Sequence, residues 1–466
     1  MTVNKVGERL TNSTRWAIAA MALAALMAVL NGTTVTASLE AMAPALDTTI
    51  SGVVWITTVY LVAASASVPL IGWLTARIGS ARVLQLALVG FALGSLLSGF
   101  AWDLPSMLVF RVLQGLAGGM LEPAALAVIG VLTPVSLMGR VMGFVSLVIN
   151  LGPVVGPLLG GFLVSVGAWA WIFWMNVPLA VLVGIAAWRL LPSDEQRGDS
   201  GATVDVLGLL LLPPGFVLVL LGVNRWGAGA APVIVGALVL AGVALLVAYV
   251  RHALRVEEPL VDIRLLRIPS FAAALGIMSV VGLVMYTQLA VLPILAERSL
   301  ALAPIWQALP VAVLGSGLLV SMTLAGRFSD DIGPRILVRS GAAVTAVTAL
   351  LIAFGHDRWP LGVVLGLVAL LGLGFGAIAS PTFASLYRVL PKASIAQGTA
   401  ALFIMLQLFA STGVTVVGFL TEASANPASS AHFVIAGAAV IVTFAASLLP
   451  SRADDAAVAP ASQPRT

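Results

Sequence analysis

Fourteen separate runs of about 20 mostly apolar residues dominate this chain, at roughly 16–39, 51–74, 83–101, 104–132, 141–166, 169–190, 204–223, 231–250, 270–295, 303–326, 336–354, 360–388, 395–420 and 431–449. A run of that length spans the hydrocarbon core of a bilayer as a helix. In hydrocarbon every backbone polar group must be satisfied within the segment, so such a chain has few folds open to it. Only 9% of its 466 residues are charged and 60% are hydrophobic, against about 25% and 45–50% in soluble domains. An all-α integral membrane protein is the expectation.

Basic residues test the count of spans. With the N-terminus inside, 19 of the 23 Lys and Arg fall in cytoplasmic segments and only Arg225, Arg298 and Arg358 fall outside. Arg111 lies within a span. Loops that carry Lys and Arg stay cytoplasmic, and an odd number of spans would scramble the asymmetry. Both termini are therefore expected in the cytoplasm, with 1–15 as a polar N-terminal segment and 451–466 as a disordered tail. The first apolar run is too long for the core of a cleaved signal peptide. The absence of cysteine excludes disulfides and thiolate chemistry. His252, His356 and His432 fall in or beside predicted loops without metal-ligand spacing. Spread-out basic residues give no nucleic-acid patch, and no phosphate-binding glycine loop or catalytic histidine cluster points to an enzyme.

The chain repeats itself. GWLTARIG from Gly72 recurs as GRFSDDIG from Gly326, 254 residues later. Asn150, Gly156 and the GFL at 161–163 recur as Gln407, Gly413 and the GFL at 418–420, and LEPAA around Pro123 is echoed by ASPTF around Pro381. Internal repeats mark secondary transporters, whose site lies between the halves near the midplane. The offset exceeds the length of six spans and implies an inserted pair. The expected plan is a six-helix bundle at 16–190, a linker at 191–268 holding extra helices 204–223 and 231–250, and a second six-helix bundle at 269–450.

Arg111 and Glu122 share one predicted span. Eleven residues make three turns, so their side chains lie on one face. Ionisable groups at bilayer depth are costly and mark ion or substrate paths.

Several motifs resemble the major facilitator superfamily, and more narrowly its fourteen-span drug:proton antiporters. LGPVVGPLLGG, with Gly152, Pro153, Gly156, Pro157, Gly160 and Gly161, is similar to the antiporter motif of span 5. RVLQGLAGG from Arg111 resembles the span-4 motif whose arginine is tied to proton coupling. GWLTARIGSAR, with Gly72, Arg77, Gly79 and Arg82, resembles the loop between spans 2 and 3 that helps close the cytoplasmic side. Its second copy carries Gly326, Asp330, Gly333 and Arg335. WAWIFWMNVP, from Trp169 to Pro178, resembles the start of span 6, where the tryptophans read as interfacial anchors.

Three positions depart from the pattern. Ala76 replaces a usual aspartate, and Asn31 replaces the acid of span 1, with Glu40 in place of a proline. The resemblance implies a major facilitator fold, no cofactor and an ion gradient as energy source. A proton gradient is the expectation, although the residues themselves do not distinguish it from sodium. Proton coupling would then fall to Glu122, Arg111 and Glu40. The superfamily lines its cavity with spans 1, 4, 9 and 12, which makes Asn31, Thr34, Met120, Tyr286, Gln288, Phe383 and Tyr387 candidate liners, with Asn150 and Gln407 as a repeat-related polar pair. The implied function is export of amphipathic drugs from the cytoplasmic (inner) membrane of a bacterium, by a monomer in contact with membrane lipid and a hydrophobic or cationic substrate. Lipid or glycolipid export on the same fold is the alternative and would call for an accessory lipid-binding or periplasmic protein. A non-transporting sensor or scaffold would leave the antiporter motif unexplained.

Overall fold

A computed structural model describes residues 10–36, 38–191, 205–227, 231–257, 259–303, 306–307, 309–391 and 394–451. Most of the polar N-terminal segment, the linker residues 192–204 and the tail beyond Ser451 lie outside the described residues. In chain order the α-helices are α1 (Asn12–Thr36), α2 (Leu39–Ala45), α3 (Ile50–Ser67), α4 (Leu70–Ile78), α5 (Ser80–Gly99), α6 (Leu104–Leu132), α7 (Met138–Asn150), α8 (Gly152–Ser165), α9 (Trp171–Trp174) and α10 (Asn176–Leu190). They continue as α11 (Val206–Gly227), α12 (Pro232–Ala253), α13 (Pro269–Ile294), α14 (Leu309–Asp331), α15 (Pro334–Gly355), α16 (Leu361–Val389), α17 (Ile395–Ala423) and α18 (Pro427–Ala445).

Twelve described helical stretches are long and apolar enough to cross a bilayer. The second and fifth predicted spans are the two outside that twelve, because each is cut into pieces. Pro69 follows the end of α3 and Pro153 sits at the start of α8. Proline has no N–H to give the preceding turn, so the helix breaks and restarts. The second span becomes α3 plus α4, and the fifth becomes α7 plus α8.

The two halves pack alike. In the first, α6 packs on α3, α5 and α1, while α1 also meets α8 and α10, and α5 meets α10. In the second, α16 packs on α14, α15 and α13, while α13 also meets α17 and α18, and α15 meets α18. Every pairing has its repeat-related counterpart. Backbone conformation repeats as well: Gly79 has φ +84° and Gly333 has φ +92°, both with extended ψ. That region is open to glycine and strained for other residues.

Lipid tails are as apolar as leucine, so helices in a membrane associate through close backbone packing. A Cβ added at Gly115 or Gly119 of α6 would sit 2.5 or 2.2 Å from the Tyr60 or Ala64 carbonyl oxygen of α3. At the related Gly372 and Gly376 of α16 it would sit 2.2 or 2.8 Å from the Leu314 or Leu318 carbonyl oxygen of α14. The same i, i+4 glycine notch therefore fastens the same helix pair in both halves.

The turns joining α4 to α5, α6 to α7, α14 to α15 and α16 to α17 define one face, called the basic face here after its arginines. The halves meet where α7 packs on α14 and α16, and where α17 packs on α4 and α6. The inserted pair, α11 and α12, forms a hairpin at the flank. Its α11 touches α3 of one half and α17 of the other, with Arg225 over the Trp55 ring at 5.3 Å.

Gly115→Val and Gly372→Val should each destabilise the protein by about 1–3 kcal/mol, the cost of overpacking a tight contact. Gly437→Ala, with nothing within 4 Å of its new Cβ, should be neutral. Thermal unfolding in detergent compares the three directly.

Candidate functional site

Helix α6 carries the chemistry of the first half. Arg111 is completely buried. Its Nε donates to the Ile56 carbonyl oxygen of α3 at 3.1 Å and its Nη1 donates to Gln114 Oε1 at 2.5 Å. The guanidinium lies 4.1 Å from the Tyr60 ring centroid and 5.6 Å from that of Phe173. Gln114 Nε2 in turn donates to Ser95 Oγ and, at 3.2 Å, to Asn31 Oδ1. Asn176 Nδ2 reaches the same Asn31 oxygen at 3.4 Å. This network joins α1, α3, α5, α6 and α10. It holds no carboxylate among the described residues. Two aromatic faces and two oxygen acceptors take the place of a counter-ion.

Glu122 lies elsewhere. Three turns along α6 carry it about 16 Å from Arg111, into a cavity between the halves. That cavity has a volume of about 170 Å3 and is lined by residues of α1, α6, α7, α13, α14, α16 and α17. Among the described residues Glu122 is the one carboxylate in its lining, with Asn150, Ser146 and Tyr286 as the polar neighbours. The rest is soft and aromatic, including Met142, Met278, Met285, Met322, Phe375, Phe383 and Phe403. Flexible thioethers and rings adapt to ligands of varied shape. A drug-sized ligand occupies a pocket of about 300–1,000 Å3, so this cavity must widen to hold one.

Of the residues singled out for the cavity from sequence, Tyr286, Phe383 and Asn150 line it with Glu122. The others are placed differently. Asn31 and Thr34 are buried, one in the Arg111 network and the other bonded back to the Leu30 carbonyl oxygen at 2.7 Å. Met120 is half-buried against the helix core. Gln288 is buried with neither amide atom bonded among the described residues. Tyr387 lies below the cavity on the basic-face side, against Gly130 of α6, and accepts from Thr399 Oγ1 at 3.2 Å. Glu40 belongs to α2, and its side chain lies outside the described residues.

Asn150 and Gln407 sit at the two seams between the halves. Asn150 Nδ2 donates to Met322 Sδ of α14 at 3.4 Å. Gln407 Oε1 accepts from Ser65 Oγ of α3 at 3.0 Å. Each repeat thus places an amide on the second helix of the opposite half.

The motif residues divide in the same way. Gly72 meets the Leu260 carbonyl oxygen and Gln397 of α17, and Gly326 meets the Gly139 carbonyl oxygen and Gly143. Both are close contacts at the basic-face seams. Gly152 and Gly156 press α8 on Val29 and Thr33 of α1. Gly160 is buried, whereas Gly161 is exposed and faces open space. Arg77 and Arg82 are exposed, with Arg77 5.6 Å from the Trp73 ring centroid. Arg335 clamps the Leu449 carbonyl oxygen through Nε and Nη2 at 2.9 and 2.7 Å, within its own half. The Asp330, Pro153 and Pro157 side chains lie outside the described residues. Trp171 is exposed as an anchor would be, but Trp174 packs over Gly99. His432 is buried in the first turns of α18.

Sequence reading missed Gln114, Asn176 and Arg388. The first two are intramembrane amides, detectable by the criterion that found Asn150. Arg388, near the end of α16, is buried; it reaches across the seam to the Val135 carbonyl oxygen at 3.4 Å and donates within its own half to Ser329 Oγ of α14 at 3.2 Å. A second hollow of about 300 Å3 lies between α11 and α17. The hydroxyls of Thr412 and Thr415 in its wall are bonded to backbone carbonyls.

Comparison with known proteins agrees with this architecture. The Major Facilitator Superfamily profile matches residues 21–319. A protein of Mycobacterium tuberculosis named "Multidrug resistance protein B homolog" is 31% identical over 405 residues, covering 85% of this chain and 74% of its own. A "Putative multidrug resistance protein MdtD" of Pectobacterium carotovorum is 29% identical, covering 89% of both chains. Among solved structures, the human organic anion transporter MFSD10 superposes with TM-score 0.66 at 17% identity, covering 93% of this chain and 99% of its own. The proton:xylose symporter XylE superposes with TM-score 0.64 at 15% identity, covering 92% and 94%. The chain is a multi-pass membrane protein, and it belongs to the Major Facilitator Superfamily of transporters.

Proposed function

We propose that this protein is a proton-coupled antiporter that exports amphipathic organic molecules, cationic or neutral, by alternating access. The observation that carries the reading is a single carboxylate, Glu122, in a cavity of methionine and aromatic side chains between the halves. A carboxylate in that setting binds either a proton or a cationic substrate, and the competition couples the two. The names of the bacterial relatives support a drug as cargo. The 16–190 and 269–450 bundles act as the two moving bodies, with 191–268 as the inserted linker. The excess of arginine on the basic face supports a cytoplasmic setting for that face and for both termini, in the inner membrane of a bacterium. Arg111 has a supporting role: its network holds α6 to α1, α3 and α5, so that Glu122 moves with the whole half.

One carboxylate limits the charge exchanged. One proton in for one monocation out moves no net charge. One proton for one dication carries a positive charge out against the membrane potential, at about 2.3 kcal/mol per 100 mV.

The hollow beside α11 favours a second reading, lipid export, since its wall presents carbon to the bilayer.

In liposomes with an acidic lumen, a monocationic dye should trigger proton release, and Glu122→Gln should reduce that release at least about tenfold. Release that survives the substitution moves coupling to another acid, with Glu40 next to test. No release with any dye, from folded protein, favours lipid export. With the same liposomes, an imposed potential should alter dication exchange steeply and leave monocation exchange nearly unchanged. Equal voltage dependence for the two would rule out one-carboxylate exchange.

A further inference from the structure

The inserted hairpin has no counterpart in the six-helix repeat, yet its attachments on the basic face are specific. Asp205, just before α11, has a side chain 2% exposed. Its Oδ1 accepts the Gly208 amide at 2.7 Å and lies 2.5 Å from His252 Nε2, in the last turn of α12. Its Oδ2 accepts the amide of Leu260 at 3.3 Å. The Tyr249 hydroxyl of α12 accepts from the Val261 amide at 2.7 Å and donates to the Val261 carbonyl oxygen at 2.9 Å. The hairpin therefore grips three backbone groups of two adjacent residues in the strap that runs from α12 into α13. Both strap residues are buried.

The fourth backbone group of that pair points at the seam. A Cβ on Gly72 of α4 would sit 2.7 Å from the Leu260 carbonyl oxygen and 3.1 Å from Gln397 Cγ of α17. Gly72 is thus the point where the first half, the second half and the strap converge. Farther along the hairpin, α11 again touches one helix of each half.

We infer that the inserted hairpin and its strap form a latch on the basic-face seam, favouring the state in which the cavity is closed on that side. Opening the seam requires α4 to leave α17. The strap stays with α13 through the covalent chain and with the hairpin through Asp205 and Tyr249. Either the Leu260–Gly72 contact breaks, or the hairpin releases the strap and leaves buried backbone groups unpaired. A buried donor or acceptor without a partner costs more than the bond contributes when made, and a carboxylate acceptor raises that cost. The latch thus opposes opening on the basic face.

The chain has no cysteine, so labels go only where they are introduced. Leu86→Cys on α5 and Ile336→Cys on α15 are exposed positions near the basic face of opposite halves. Spin labels there report the opening of that face by pulsed dipolar spectroscopy in nanodiscs. Tyr249→Phe removes one oxygen and keeps the ring; it should raise the ratio of long to short distances about tenfold. Asp205→Asn should shift it the same way. A distribution unchanged from wild type in Tyr249→Phe, or shifted toward short distances, overturns the latch. If Asp205→Asn fails to fold, Tyr249→Phe decides alone. The readout needs neither substrate nor proton gradient, so it stands apart from any failure of the export assay.

Discussion

A bilayer gives a helix no reason to hide its apolar side chains and no water to satisfy its polar ones. That constraint shapes this molecule. Helices hold together where backbones approach closely, and the glycine notches of α6 on α3 and of α16 on α14 do this at repeat-related positions. Close contact of carbonyl and Cα atoms leaves little room to slide, because packed backbones resist gradual deformation. The bundles can then move as bodies. Motion is directed to the seams, where amide, thioether and hydroxyl groups meet through a few bonds.

The same constraint governs the polar groups. Arg111 is tolerated at full burial because carbonyl, amide and aromatic partners surround it. Asn31 fits that network as an acceptor from both Gln114 and Asn176. An acid in its place would put an ion pair inside the half. With an amide there, the described network carries one fixed positive charge and has no titratable carboxylate to answer it. In the proposed mechanism the group that takes up the proton is therefore separated from the guanidinium, in the cavity wall.

Much of this was legible in the sequence, for reasons particular elements make plain. Spans announce themselves by length, and the repeat by its loop glycines, which return as Gly79 and Gly333 with nearly the same backbone angles. The breaks in spans 2 and 5, which the sequence presents as continuous apolar runs, fall at Pro69 and Pro153. What resisted reading was the direction in which side chains point. A helix apolar around its whole circumference has no polar stripe to show which face meets the cavity. Assigning liners by span number therefore included Thr34 and Gln288, which are buried outside the cavity lining, while Met278 and Phe375 passed unnoticed. Tyr387, also named as a liner, packs against Gly130 of α6 on the basic-face side of the cavity. Arg388 escaped because a basic residue at a span end reads as topology, although it reaches across the seam.

The repeat also shows what the two halves do not share. Aligned by its glycine notches, α16 sets Ala379 opposite Glu122, and Ala379 lines the cavity. The second half has no acid at the matching place. It contributes Met278, Met285, Met322, Phe375 and Phe403 to the cavity instead. The cavity therefore opposes one carboxylate to an apolar wall. Closing that wall over an ionised Glu122 strips it of water without offering a counter-charge, a cost that a bound cation or a proton removes. On the proposed reading, this is why the empty, ionised carrier resists switching while the loaded or protonated one does not. Coupling then follows from an asymmetry between two nearly identical bundles, and a second acid at position 379 would weaken it by letting the cavity hold a proton and a cation together.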